Sequence, residues 1–241
     1  MNKFLFNKSA FWLILFFAVA VFGFWKSYYS FPERDVTFYE HFHGISMTLW
    51  CLMLIAQAFL IRLRKYKTHR WVGRGSFLIF PVLILSTFLL IHASLSVNGE
   101  LNTAVLTNLA LMANATVALI LIYGLGIYFR KDRPTHARYM VCTIFPLFTP
   151  ITDRIIYNYL RPLVQYAPKI AGDPIVPFYG FLLADLMLIG LVIWDWRSNR
   201  RKDVFITVFV ILLFFHISVF TFHQFTFWES FGKWFLELGL T

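Results

Sequence analysis

Seven histidines, at positions 41, 43, 69, 92, 136, 216 and 223, are the residues of this 241-residue sequence best suited to hold a metal or pass a proton. Neutral imidazole ligates iron, zinc and copper, and its ordinary pKa lets it exchange protons near neutrality. His69 and His136 form one group: each follows a threonine, sits among arginines and opens an apolar stretch. Two imidazoles held at helix ends could ligate one haem iron axially. The competing reading leaves both in the lipid headgroup region, with no special role. A second group gathers at the opposite ends of the apolar stretches. There His41, His43 and His92 with Asp153 would suit zinc or copper, although no H-x-x-x-H or H-E-x-x-H spacing is present. His41 and His43 can share an ion only if the helix begins at or after Gly44, because residues two apart diverge on a helix. Asp185 and His216 form a third group. Counted along their stretches they lie at about the same depth and can pair, with His223 extending a polar strip. Such a strip could relay protons, or the pair could fix helix packing. Arg138 and Arg154 are further polar candidates. No residue is assigned a catalytic role, and whether the chain is an enzyme stays open.

The elements that must position these groups are membrane helices. Apolar residues make up 59% of the chain and charged ones only 14%, too much apolar surface for a water-soluble domain of this size. Seven stretches are each close to the length that crosses a bilayer: Ala10–Trp25, His43–Ile61, Trp71–His92, Thr103–Phe129, His136–Thr152, Phe178–Trp196 and Val204–Phe222. The expectation is an all-α integral membrane protein, one domain over residues 1–241. It is a bundle of seven transmembrane helices, or six if the first is a cleaved signal ending near Ala18-Val19-Ala20.

Lysine and arginine enrich cytoplasmic loops. The segments around Arg62–Arg74, Arg130–Arg138 and Arg197–Lys202 are strongly basic, whereas the Ala93–Asn102 loop has only Glu100. This places the N-terminus in the cytoplasm and the C-terminus outside. Residues 153–177, carrying four prolines, form an ordered extracytoplasmic cap. The net charge of +10 is thus a topology signal, and nucleic-acid binding is excluded because the basic residues are spread over helix ends. The bilayer, with its anionic headgroups, is the expected partner. Cys51 and Cys142 fall inside apolar spans at different depths and read as packed thiols.

One short repeat is visible. Thr68-His69 and Thr135-His136 open two spans, the threonine placed to cap the helix, and each is followed by Phe-Pro, at Phe80-Pro81 and Phe145-Pro146. A proline within a membrane helix bends it, so both are expected to bend. Asn114 and Gln57 read as interhelical hydrogen-bonding residues.

The motifs H-G-I-S-M-T-L-W (His43–Trp50), Gln57, H-R-W-V-G-R (His69–Arg74), H-A-R-Y-M (His136–Met140), Pro150 and Asp153-Arg154 resemble a family of uncharacterised bacterial membrane proteins, a domain of unknown function. The likeness covers about Phe38 to Arg154 and draws attention to His43, His69, Gly73, His136, Arg138, Met140 and Arg154. A looser similarity joins the H-G-x-x-M and H-R-x-x-G helix starts to two-haem transmembrane cytochromes b. That resemblance implies haem b, held by His43 with His92 near the outer face and by His69 with His136 near the inner face. One departure is that His69 and His92, 23 residues apart on one helix, lie about 34 Å apart, at opposite headgroup layers. The resulting expectation is a haem-b or related redox protein of the bacterial inner membrane. The alternatives are a metal-dependent enzyme or small-molecule binding protein using the outer His/Asp cluster, and a structural or assembly factor without cofactor.

Overall fold

The computed structural model describes residues 3–30, 35–98 and 100–241, with side chains from Lys8 onward except Asn98. Residues 31–34 and 99, in two of the expected connections, lie outside the described residues. The fold is all-α apart from one small hairpin. Helix α1 spans Lys3–Phe24 and runs into a wider π turn at Trp25–Tyr29. Helices α2 (Phe38–Arg62), α3 (Tyr66–Arg74), α4 (Ser76–Asn98) and α5 (Thr103–Tyr128) follow, then α6 (Arg133–Cys142) and α7 (Phe148–Tyr159). Helices α8 (Pro177–Asn199), α9 (Val204–Thr221) and α10 (Thr226–Glu237) complete the chain. Among the described residues, six helical stretches are long and apolar enough to cross a membrane: Lys8–Tyr29, Phe38–Arg62, Tyr66–Val97, Thr103–Tyr128, Pro177–Asn199 and Val204–Gln224. The chain is therefore compatible with a multi-pass membrane protein.

The seventh expected stretch, His136–Thr152, is not one helix. It divides into α6 and α7 around a 3₁₀ turn at Phe145–Leu147. Pro146 and Pro150, four residues apart, each lack an N–H and each clash with the preceding turn. Pro81, with no second proline near it, stays inside a continuous α4. The expected symmetry of the two Phe-Pro sites thus fails. So does the threonine cap: α3 and α6 begin after Lys65 and Asp132, which puts His69 and His136 each fourth in its helix. Thr135 instead donates to the Asp132 carboxylate.

The chain divides into two compact units, residues 1–90 and 91–241. In the first, α1 and α3 pack on α2, and the fully buried Trp50 of α2 meets Phe80 of α4 edge-on at 5.2 Å. Thr37 and Glu40 close a reciprocal capping box that starts α2, satisfying free backbone N–H groups at both positions. In the second, α5 is the most enclosed of the six long helices. Small residues on its surface let α9 and α6 approach, and Ile122, Cys142, Leu188, Leu212 and Phe215 form the core. Residues 161–174 fold as a 3₁₀ turn (Arg161–Tyr166) and a hairpin of β1 (Lys169–Ile170) with β2 (Asp173–Pro174). This segment is pinned by Tyr179 donating to the Leu163 carbonyl at 2.9 Å and by the Ile156, Ala167 and Val176 cluster.

Candidate functional site

Asp185 on α8 and His216 on α9 come together. Asp185 Oδ2 is 3.2 Å from His216 Nδ1, with the imidazole only 7% exposed and the carboxylate 22%. Phe181, one turn before Asp185 on the same face of α8, stacks on the His216 ring at 4.2 Å. The aspartate thus fixes the edge of the ring and the phenylalanine its plane. A neutral imidazole donating from Nδ1 to a carboxylate presents Nε2 as a base. The other carboxylate oxygen, Oδ1, is buried and has no hydrogen-bond partner among the described residues. An orphaned acceptor in an apolar helix pair costs free energy unless a proton or a ligand meets it. His223 does not extend the strip as its seven-residue spacing suggests. α9 ends at Thr221, and His223 sits in a 3₁₀ turn with its Nδ1 buried and unbonded. Asn114 of α5 donates to Ser218 of α9 at 2.8 Å, an interhelical bond as its position implies.

The four histidines of the haem expectation differ in what their rings offer. His136 Nδ1 lies 2.7 Å from the carbonyl oxygen of Gly126 and must donate to it, leaving Nε2 as a lone-pair donor. His43 Nδ1 faces the hydroxyls of Thr87 and Ser86 at 3.3 and 3.4 Å. Both hydroxyls already donate to the Leu83 carbonyl at 2.8 Å, so the imidazole supplies the proton and its Nε2 is again a lone-pair donor. His69 is the reverse. Gln57 accepts from the Gly73 N–H at 2.9 Å, and its NH₂ then faces the His69 carbonyl and ring Nδ1, which puts the ring proton on Nε2. His92, 2% exposed, has both nitrogens engaged by the C-terminal segment: Nδ1 lies 2.6 Å from the Thr241 hydroxyl and Nε2 3.3 Å from the Leu236 carbonyl. Each pair implied by the cytochrome likeness therefore has one ring arranged as a ligand and one that is not.

The expected zinc or copper set requires one correction. α2 begins at Phe38, six residues before Gly44, so His41 and His43 lie on different helix faces. His41 is exposed beside Tyr28, at 5.6 Å, while His43 turns to α4. They cannot chelate one ion. Within each unit, among the described residues, no three His, Cys, Asp or Glu side chains gather as metal ligands would.

Asp153, one residue past the expected fifth span, lies within α7 and is half-buried, and its Oδ1 has no hydrogen-bond partner among the described residues.

Arg138, a candidate from its motif, is 3% exposed and fully paired. It makes two bonds to Asp195 of α8, Nε to Oδ2 at 2.9 Å and Nη2 to Oδ1 at 2.6 Å, and a third from Nη1 to the Pro134 carbonyl at 2.9 Å. Asn199 also donates to Asp195 Oδ1, at 2.6 Å. Asp195 was missed in the sequence, where it reads as an end-of-span charge between Trp194 and Trp196. The available signal was a lone carboxylate beside aromatic anchors, which needs a cation. Arg154 is exposed on α7.

No family, curated protein or solved structure matches this chain. The class defined by its fold is a multi-pass helical protein compatible with a membrane. Its chemistry has to be argued from the side chains above.

Proposed function

We propose that this protein is a multi-pass protein of the bacterial cytoplasmic membrane whose working centre, the Asp185–His216 couple, takes up and releases protons between α8 and α9. The observation that carries this reading is the carboxylate–imidazole contact at 3.2 Å, its imidazole buried between apolar helices and the second carboxylate oxygen unmet among the described residues. Ionisable pairs at such depth are costly and characteristically serve proton or ion pathways. We take the broken α6–α7 stretch as a seventh crossing, with the N-terminus in the cytoplasm. The alternation of basic and non-basic loops supports that orientation. The folded 161–174 segment then lies on the outer side.

The test is proton uptake into proteoliposomes under a potassium diffusion potential, read by an entrapped pH dye. The parent chain should acidify the lumen, and Asp185→Asn and His216→Gln should each slow it at least about tenfold. A parent chain no faster than empty liposomes, or variants equal to the parent, would overturn the proposal.

A second reading is favoured by the ring chemistry of His43 and His136, whose Nε2 lone pairs are set up for ligation by hydrogen bonds at Nδ1. Each could hold a haem or a transition metal singly, and either group would supply redox chemistry when bound. Oxidised and dithionite-reduced spectra of protein from haem-replete cells, with metal analysis, decide it. A reduced alpha band lost in His136→Ala or His43→Ala supports ligation, and a colourless, metal-free sample rejects it.

A further inference from the structure

We propose that the outward face of α3 binds the headgroup of an anionic phospholipid carrying two phosphates. The proposal rests on the chain's lying in a bilayer but not on its orientation or on proton transfer. Lys67, Arg70, Trp71 and Arg74 stand at positions i, i+3, i+4 and i+7 of α3, a spacing that gathers them on one side of the helix. With Thr68 they line an open recess of about 670 Å³. The opposite side, His69, Val72 and Gly73, is half-buried, and Gln57 of α2 holds both the His69 backbone and the Gly73 N–H. These bonds fix the roll of α3 and keep the three cations turned outward. No ion pair among the described residues involves Lys67, Arg70 or Arg74.

Three cations without internal counterions extend over about 10 Å of helix, more than a single phosphate spans. Trp71 is 74% exposed, and Leu78, one turn beyond Arg74 in sequence, is 71% exposed. Basic residues that bracket an indole and pass into exposed apolar surface match a charged headgroup with its acyl chains attached. A soluble phosphate would leave Trp71 and Leu78 without a role.

The experiment is a thermal-shift titration of the full chain in mild detergent with diphosphatidylglycerol, against phosphatidylcholine. The expected result is a saturable rise in Tm with the first lipid and none with the second. Lys67→Gln/Arg70→Gln/Arg74→Gln should weaken the midpoint by roughly 100-fold, and Trp71→Ala should weaken it to a lesser degree. The charge-matched control Arg130→Gln/Lys131→Gln/Arg133→Gln should leave it unchanged. These cations are exposed, so neither triple variant removes core contacts. Equal loss in both triples would mean diffuse charge and overturn the site. No preference over phosphatidylcholine would do the same, as would full competition by inositol hexakisphosphate, which would assign the recess to a soluble phosphate. Failure of the proton assay with success here would leave this proposal standing, and the reverse would leave the Asp185–His216 reading standing.

Discussion

Replacing Asp195 with alanine should destabilise the protein by about 3–5 kcal/mol, the cost of leaving a buried guanidinium without its counterion. Arg138 and Asp195 are each almost wholly buried, their closest contact is 2.6 Å, and the pair joins α6 to α8. The Pro134 carbonyl would still accept from Arg138 Nη1, but Nε and Nη2 would lose their carboxylate partner. The double replacement Arg138→Met with Asp195→Leu should recover most of the loss, because removing both charges also removes their desolvation penalty. Denaturant titration in micelles provides the measurement. A loss below about 1 kcal/mol for Asp195→Ala would show that water or lipid phosphate reaches Arg138 and that the pair is not a closed clamp.

Gly180→Val should cost toward the upper end of the about 1–3 kcal/mol typical of overpacking, or more. A β-carbon at Gly180 would lie 2.5 Å from Thr152 Oγ1 and 2.7 Å from the Thr149 Cα. The second contact is backbone, so no rotamer change relieves it, and α7 must move away from α8. Gly190, on the same helix, has nothing within 4 Å of the corresponding position. Gly190→Ala should therefore be neutral, or stabilising by up to about 1 kcal/mol through helix propensity. The contrast between the two variants in one unfolding series separates close packing from a general effect of adding side chains to α8. Equal responses would show that α7 and α8 are not in contact at Gly180.

The sequence by itself determined where the long helices are. Six observed stretches match expected ones to within a few residues at most ends, because length and apolarity are local and need no partner. It also placed Asp185 opposite His216, since helical rise converts residue number into depth. The start of α2, left open, was legible as well. Thr37 and Glu40 spell a capping box, and that signal places His41 and His43 on divergent faces.

Only the tertiary structure decided what each histidine can do. His69 and His136 occupy the same position in their helices, yet a glutamine side chain fixes one proton and a backbone carbonyl the other. His92 reads as an outer ligand until residues 236–241 close over it. The Asp195 partner of Arg138 was hidden for the same reason. Which hydrogen-bonding atom faces which is set by helix rotation and by neighbours distant in the chain. Periodicity along one strand of sequence carries the depth of a residue in the fold, but not the identity of the atom it meets there.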